Sequence, residues 1–196
     1  NKALIAQKGM GLFQTAQANQ RSLLFEAAVA GAVPIIKAIR ESLAANRIES
    51  IHGILNGTGN YILTEMRQRG LSFAETLAQA QEKGYAEADP SFDVDGIDTA
   101  HKLAILAAIA WGTPPNFSAI HIEGIRQITD ADIAWATEMG YRIKLLAIAK
   151  YRDGGVELRV QPTLVTLSSM VSQVEGVFNA VFVKADASRS AAIIFH

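Results

Sequence analysis

The densest chemistry in this sequence lies between Tyr85 and Lys102. Five carboxylates fall within twelve residues there, Glu87, Asp89, Asp93, Asp95 and Asp98, out of 19 acidic residues in the whole chain. Asp98 and Lys102 are four residues apart in a segment of helical periodicity, so they share a helix face. Their neighbours, Ile97, Ala100, Leu103 and Ala104, are apolar, which favours a partly buried pair over a solvated one. A lysine held beside a carboxylate is positioned and charged, yet can still exchange a proton, as general acid–base chemistry requires. The plainer alternative is a surface ion pair of small worth, in a solvated loop whose acids Asp93 and Asp95 cap a helix start. A metal loop is poorly supported: a twelve-residue calcium loop begun at Asp89 puts Ala100 where a bidentate Glu belongs. A metal-dependent site on Asp89, Asp93, Asp95 and Asp98 is kept as an alternative.

Two further segments invite a ligand. Asn56-Gly57-Thr58-Gly59-Asn60 lies between a strand pattern and a helix pattern. Amides at a helix start suit an anionic group, and glycine allows close backbone approach; an ordinary turn with Thr58 as cap explains the same residues. Phe25 to Val33 places the lone acid Glu26 in an apolar run, where it needs an ion-pair partner or lies beside backbone carbonyls able to bind a cation. His52, His101, His121 and His196 have no zinc-like spacing and read as structural or exposed. Trp111, Trp135 and the phenylalanines read as core.

The elements that must position these residues follow from periodicity and punctuation. Helices are expected over 2–18 (broken or frayed at Gly9 and Gly11), after Pro34, over 61–69, 73–83, 96–110 and 129–139. Gly70 suits a C-terminal cap, and Ser72 with Glu75 a capping box. Strands are expected over 22–29, 47–55, 142–149, 156–165 and 176–184, with Asp153-Gly154 joining two of them as a hairpin. The fold class is therefore α/β, α+β-like, with a mixed sheet covered by helices on one face.

Composition sets the outer limits. The chain has 196 residues, 49% apolar and 19% charged, with net charge −1 and no cysteine; mean hydropathy is +0.17. Disorder, a membrane span, a nucleic-acid-binding basic face, disulfides and thiolate chemistry are excluded as expectations. Neither G-x-G-x-x-G nor G-x-x-x-x-G-K-[ST] occurs. The sequence starts at Asn1 without a methionine and ends in an apolar run, and reads as a fragment.

Several motifs in register resemble the substrate-binding and dimerisation domain of homoserine dehydrogenases. They are Asn1-Lys2-Ala3, Phe25-Glu26-Ala27, Pro34-Ile35-Ile36-Lys37, Arg40-Glu41-Ser42-Leu43, Gly53-Ile54-Leu55-Asn56-Gly57-Thr58 and Gly84-Tyr85-Ala86-Glu87-Ala88-Asp89-Pro90. Asp93, Gly96, Asp98 and Lys102-Leu103-Ala104 keep the spacing, and weaker similarity runs through 141–146 and 176–181. The resemblance implies NAD- or NADP-dependent interconversion of aspartate semialdehyde and homoserine, a step toward threonine, methionine and isoleucine, in a cytoplasmic homodimer. It implies that Lys102 delivers the proton, with Lys2 and Asp98 also catalytic. Glu87, Asp93, Asp98, Thr58, Gly57 and Tyr85 would hold substrate, and Lys2 and Asn1 would face the cofactor. Glu26, Val29, Gly31 and Val33 would hold Na+ or K+, mainly through backbone carbonyls. The family's N-terminal nucleotide-binding domain is absent: residues 1–20 would be its edge, 1–187 the substrate domain, and 188–196 a poorly matched tail with residues missing between Ala187 and His196. A non-catalytic dimerisation or amino-acid-binding module is the alternative.

Overall fold

The structure, a computed structural model, describes residues 1–31, 33–186 and 191–195. Its centre is a six-stranded sheet: β1 (Ile48–Ile54), β2 (His121–Ile122), β3 (Tyr141–Arg152), β4 (Gly155–Thr166), β5 (Asn179–Ala185) and β6 (Ala191–Phe195), in the order β2-β4-β3-β1-β5-β6. Only β2–β4 is parallel; the other neighbours are antiparallel. The expected mixed sheet is thus present. β3 and β4 form the long hairpin, paired from Tyr141↔Thr166 to Arg152↔Gly155.

The helices are α1 (Lys2–Ala18), α2 (Ile35–Lys37, continued by a π turn through Ser42), α3 (Gly57–Arg69), α4 (Phe73–Glu82), α5 (Ser91–Val94), α6 (Ile97–Trp111) and α7 (Asp130–Glu138). Strand periodicity divides the sheet residues between two faces. Ile51, Leu145, Ala147, Ala149, Val160, Val181 and Val183 join the helices in the main core, which includes Leu103, Ile105 and Leu106 of α6. On the other face Ile54, Leu146, Ile148, Val165, Ala180 and Phe182 form a smaller cluster with Val171 and Val174. Predicted punctuation holds at several ends. Gly70 closes α3 at φ +64°, Ser72 and Glu75 make a reciprocal capping box, and Asp153 and Gly154 both turn at positive φ.

Three expectations need correction. α1 is continuous through Gly9 and Gly11; Gly9 is buried with Pro115 Cγ 3.1 Å from where a Cβ would sit, so packing offsets its weak propensity. Residues 22–29 are not a strand. They form extended coil and a short 3-10 turn, Glu26–Ala28, because the Glu26 carboxylate folds back onto the amides of Ile36 (2.8 Å) and Lys37 (3.0 Å). Trp135 is 63% exposed, and Phe92 and Phe178 are exposed too, since the nine-residue α7 buries only Ile133 and Ala136. The tail forms β6 against β5. The expected break between Ala187 and His196 falls on residues 187–190 and 196, outside the described residues.

Candidate active site

Three elements meet at Asp98. It stands in the first turn of α6 and is 2% exposed. Lys102 lies one turn along the same helix, with Nζ 2.7 Å from Asp98 Oδ2 and 2.6 Å from the Leu55 carbonyl at the end of β1. Lys2, in the first turn of α1, places Nζ 2.6 Å from the other carboxylate oxygen, Oδ1. One buried carboxylate therefore orients two ammonium groups from two helices.

Asn56 extends the network. Its Nδ2 donates to Asp98 Oδ2 at 3.0 Å and to Asp93 Oδ1 at 2.8 Å, while its Oδ1 accepts the Gly59 amide at 2.8 Å. Asn56 is thus the N-cap of α3, and residues 57–60 are the helix's first turn rather than a free loop. Thr58 does not cap; its hydroxyl donates to the Tyr85 carbonyl at 2.7 Å, tying the acidic segment to α3. The amides of Gly57 and Thr58 begin the helix where no intrahelical acceptor exists.

The two carboxylates on Asn56 are tuned apart. Burial pushes Asp93 above the ordinary aspartate range, and the nearby Asp98 charge adds to this, against the lowering effects of Asn56 and Lys102. Burial pushes Asp98 the same way, but the charge and hydrogen bond of Lys102, with those of Lys2 and Asn56, reverse it and hold Asp98 below that range. The same bridging amide thus joins a carboxyl raised by burial to one lowered by its two ammonium neighbours.

The other acids separate. Asp95 and Ser91 bind Arg126, and Asp89 Oδ1 accepts the Ser91 amide at 3.0 Å, so these residues brace α5. Glu87 is exposed, and its carbonyl accepts from Gln81. Tyr85 is half exposed, with its ring 5.0 Å from Tyr61 edge-on. Among the described residues no group of three or more His, Cys, Asp or Glu could hold a metal ion, which removes the metal-dependent alternative built on Asp89, Asp93, Asp95 and Asp98. Glu26 accepts from backbone amides and has no ion-pair partner among the described residues, and the Val33 carbonyl accepts the Ile35 amide at 2.9 Å. An open cleft of about 980 Å³ adjoins the lysines, lined by Asn1, Lys2, Phe25, Val29, Phe92 and Lys102 among others. Asn1 caps α1 by accepting the Leu4 amide. His101, beside Lys102, is buried against Phe117 and contacts Gln7 of α1.

Sequence reading missed Asn56 as the bridge between the acids. Its signal was an Asn immediately before a helix start.

A sequence model described as Homoserine dehydrogenase matches residues 34–196. The chain belongs to the homoserine dehydrogenase family. Homoserine dehydrogenases of Neisseria gonorrhoeae and Pseudomonas aeruginosa are each 54% identical over 95% of the chain. The solved homoserine dehydrogenase of Thiobacillus denitrificans superposes with a TM-score of 0.98 at 53% identity, over all of this chain and 45% of that one. A hyperthermophilic archaeal homoserine dehydrogenase mutant, solved in complex with NADPH, gives 0.84 at 29% identity over all of this chain and 56% of that one. The chain spans 43% of the length of the two bacterial relatives.

Proposed function

We propose that the chain is the substrate-binding and catalytic half of a homoserine dehydrogenase, interconverting L-homoserine and L-aspartate 4-semialdehyde in the cytoplasmic aspartate pathway. The observation that carries this reading is the pair of lysines fixed by one buried carboxylate, with Asn56 joining that carboxylate to a second one. Residues 1–20 are read as the edge of a nucleotide-binding domain, 1–187 as the substrate domain, and 188–196 as part of a closing segment.

Reduction of the aldehyde puts negative charge on its oxygen, and an ammonium in reach stabilises that charge and gives it a proton. Lys102 is assigned that role. Asp98 holds Lys102 in place while keeping its own charge, and Lys2 supplies a second positive charge on the cleft side. In the reverse direction Lys102 acts as the neutral amine and takes the hydroxyl proton of homoserine. The substrate's ammonium is assigned to Glu87, whose exposed carboxylate is open to a ligand, and to the Asp93–Asp98 side of the site. Its carboxylate is assigned to the Gly57 and Thr58 amides, with Tyr85 beside them.

The nicotinamide ring is assigned to the cleft of about 980 Å³ beside Asn1 and Lys2, where NAD(H) or NADP(H) would exchange the hydride; the NADPH complex of the archaeal relative supports this. With no glycine-rich phosphate loop in this sequence, its phosphates fall to the nucleotide-binding domain. The carbonyls of Val29, Gly31 and Val33, beside Glu26, are assigned to Na+ or K+. A homodimer is assigned to the whole protein.

The reading is tested with the full-length protein against the isolated 196-residue chain. The full-length protein is expected to oxidise homoserine with a nicotinamide cofactor and to run as a dimer, while the isolated chain turns over at least a hundredfold more slowly. Equal turnover by the isolated chain, or no homoserine oxidation by the full-length protein, would overturn it.

A further inference from the structure

Lys144 takes no part in the network around Asp98, yet it is among the most buried charged residues of the chain. It stands on β3, 3% exposed. Among the described residues no carboxylate lies within ion-pair distance of it. Its Nζ donates instead to the Val174 carbonyl at 2.6 Å and to Asn60 Oδ1 at 3.0 Å. Burial pushes its pKa down to about 8, with Glu175 opposing and Arg142 and Arg67 adding to the fall. Burying an ammonium without a countercharge is costly, and an apolar side chain of equal length would avoid the cost. The position therefore needs a donor.

That donor holds one corner of a tight polar junction. Asn60, in the first turn of α3, accepts from Lys144 and spends its Nδ2 on three carbonyls of one loop: Val174 (3.1 Å), Gly176 (3.0 Å) and Phe178 (3.1 Å). One turn along α3, Thr64 Oγ1 accepts the Gly176 amide at 3.1 Å. The 174–178 loop is thus fastened along the N-terminal half of α3. Its tip is pressed against the helix start: a Cβ on Gly57 would meet the Val177 carbonyl oxygen at 2.6 Å and the Asn179 side chain at 3.6 Å. Gly57 and Thr58 are the residues assigned above to the substrate carboxylate.

We propose that Lys144 is a positioning residue for the amino-acid end of the substrate: with Asn60 it fixes the 174–178 loop against the first turn of α3, and so fixes the Gly57 and Thr58 amides. The proposal rests on the reading of this chain as the substrate half of a homoserine dehydrogenase. Lys102, Asp98 and Lys2 are carried by α6 and α1, whereas the hydrogen bonds of Lys144 go to Asn60 and Val174, so its loss is expected to fall first on substrate binding and to spare the proton transfer and the cofactor.

The experiment compares wild type, Lys144→Met and Thr64→Val in the full-length enzyme, with KM for homoserine, KM for the nicotinamide cofactor and kcat measured separately. Lys144→Met is expected to raise KM for homoserine tenfold or more, with kcat and the cofactor KM within threefold of wild type. Thr64→Val, which releases the loop from its second fastening, is expected to raise the same KM by a smaller factor. An unchanged homoserine KM in folded Lys144→Met, or equal damage to kcat and the cofactor KM, overturns the proposal. Should Lys144→Met not fold, Thr64→Val decides by the same criteria. Wild-type enzyme that does not oxidise homoserine would overturn the reading beneath the proposal, and the proposal with it.

Discussion

Asp98 is the residue on which the site turns, and its ionisation has a measurable consequence. Its folded pKa lies below its unfolded value because Lys102, Lys2 and Asn56 outweigh the effect of burial. A depressed acid contributes stability above its unfolded pKa and loses it as pH falls through the folded one. Asp98→Asn is expected to lower stability at pH 7 by about 3 kcal/mol, because two ammonium groups lose their shared anion, and to flatten the fall in stability below about pH 4. Urea unfolding from pH 7 to pH 3 measures both; parallel profiles for variant and wild type would contradict the assignment. The Asp98–Lys102 pair was legible from its i,i+4 spacing alone. Lys2 was not, since nothing local joins it to Asp98; only the family resemblance pointed there. Asn56 was overlooked because its capping role and its bridging role use opposite ends of one amide, and a cap hides a bridge.

At the scale of elements, the start of α3 is where strand, helix and loop converge. β1 ends in Ile54; the Leu55 carbonyl just beyond it takes Lys102, Asn56 caps the helix, and Gly57 lets the 174–178 loop come close. A methyl at Gly57 would collide with backbone and not with a movable side chain, so Gly57→Ala is expected to cost about 2 kcal/mol of stability and to raise the homoserine KM. Denaturant midpoints and steady-state kinetics check this; unchanged values in both would contradict the close approach. Helix ends were readable because capping residues act locally, as at Ser72, Glu75 and Gly70. The segment 22–29 was misread for the complementary reason. Its conformation depends on Glu26 reaching amides ten and eleven residues away, and a short apolar run does not by itself distinguish a strand from buried coil.

For the whole molecule, the sheet serves as a platform that carries the site at one side of its helical layer. The hairpin β3–β4 was legible from its two strand-like runs and the Asp153-Gly154 turn, as was the helical cover on one face. The two-residue β2 and the terminal β6 were not, because each is defined by pairing with a distant strand and has little pattern of its own. Among the described residues no helix is long and apolar enough to cross a membrane. The chain covers 43% of its bacterial relatives, and its two lysines line an open cleft. The central claim is that Lys102 moves the proton. Its most direct test is Lys102→Met in the full-length enzyme, with kcat for aspartate semialdehyde reduction measured at saturating substrate and cofactor. A fall in kcat of a hundredfold or more is expected for loss of a general acid, with cofactor binding preserved; a kcat within threefold of wild type would contradict the account.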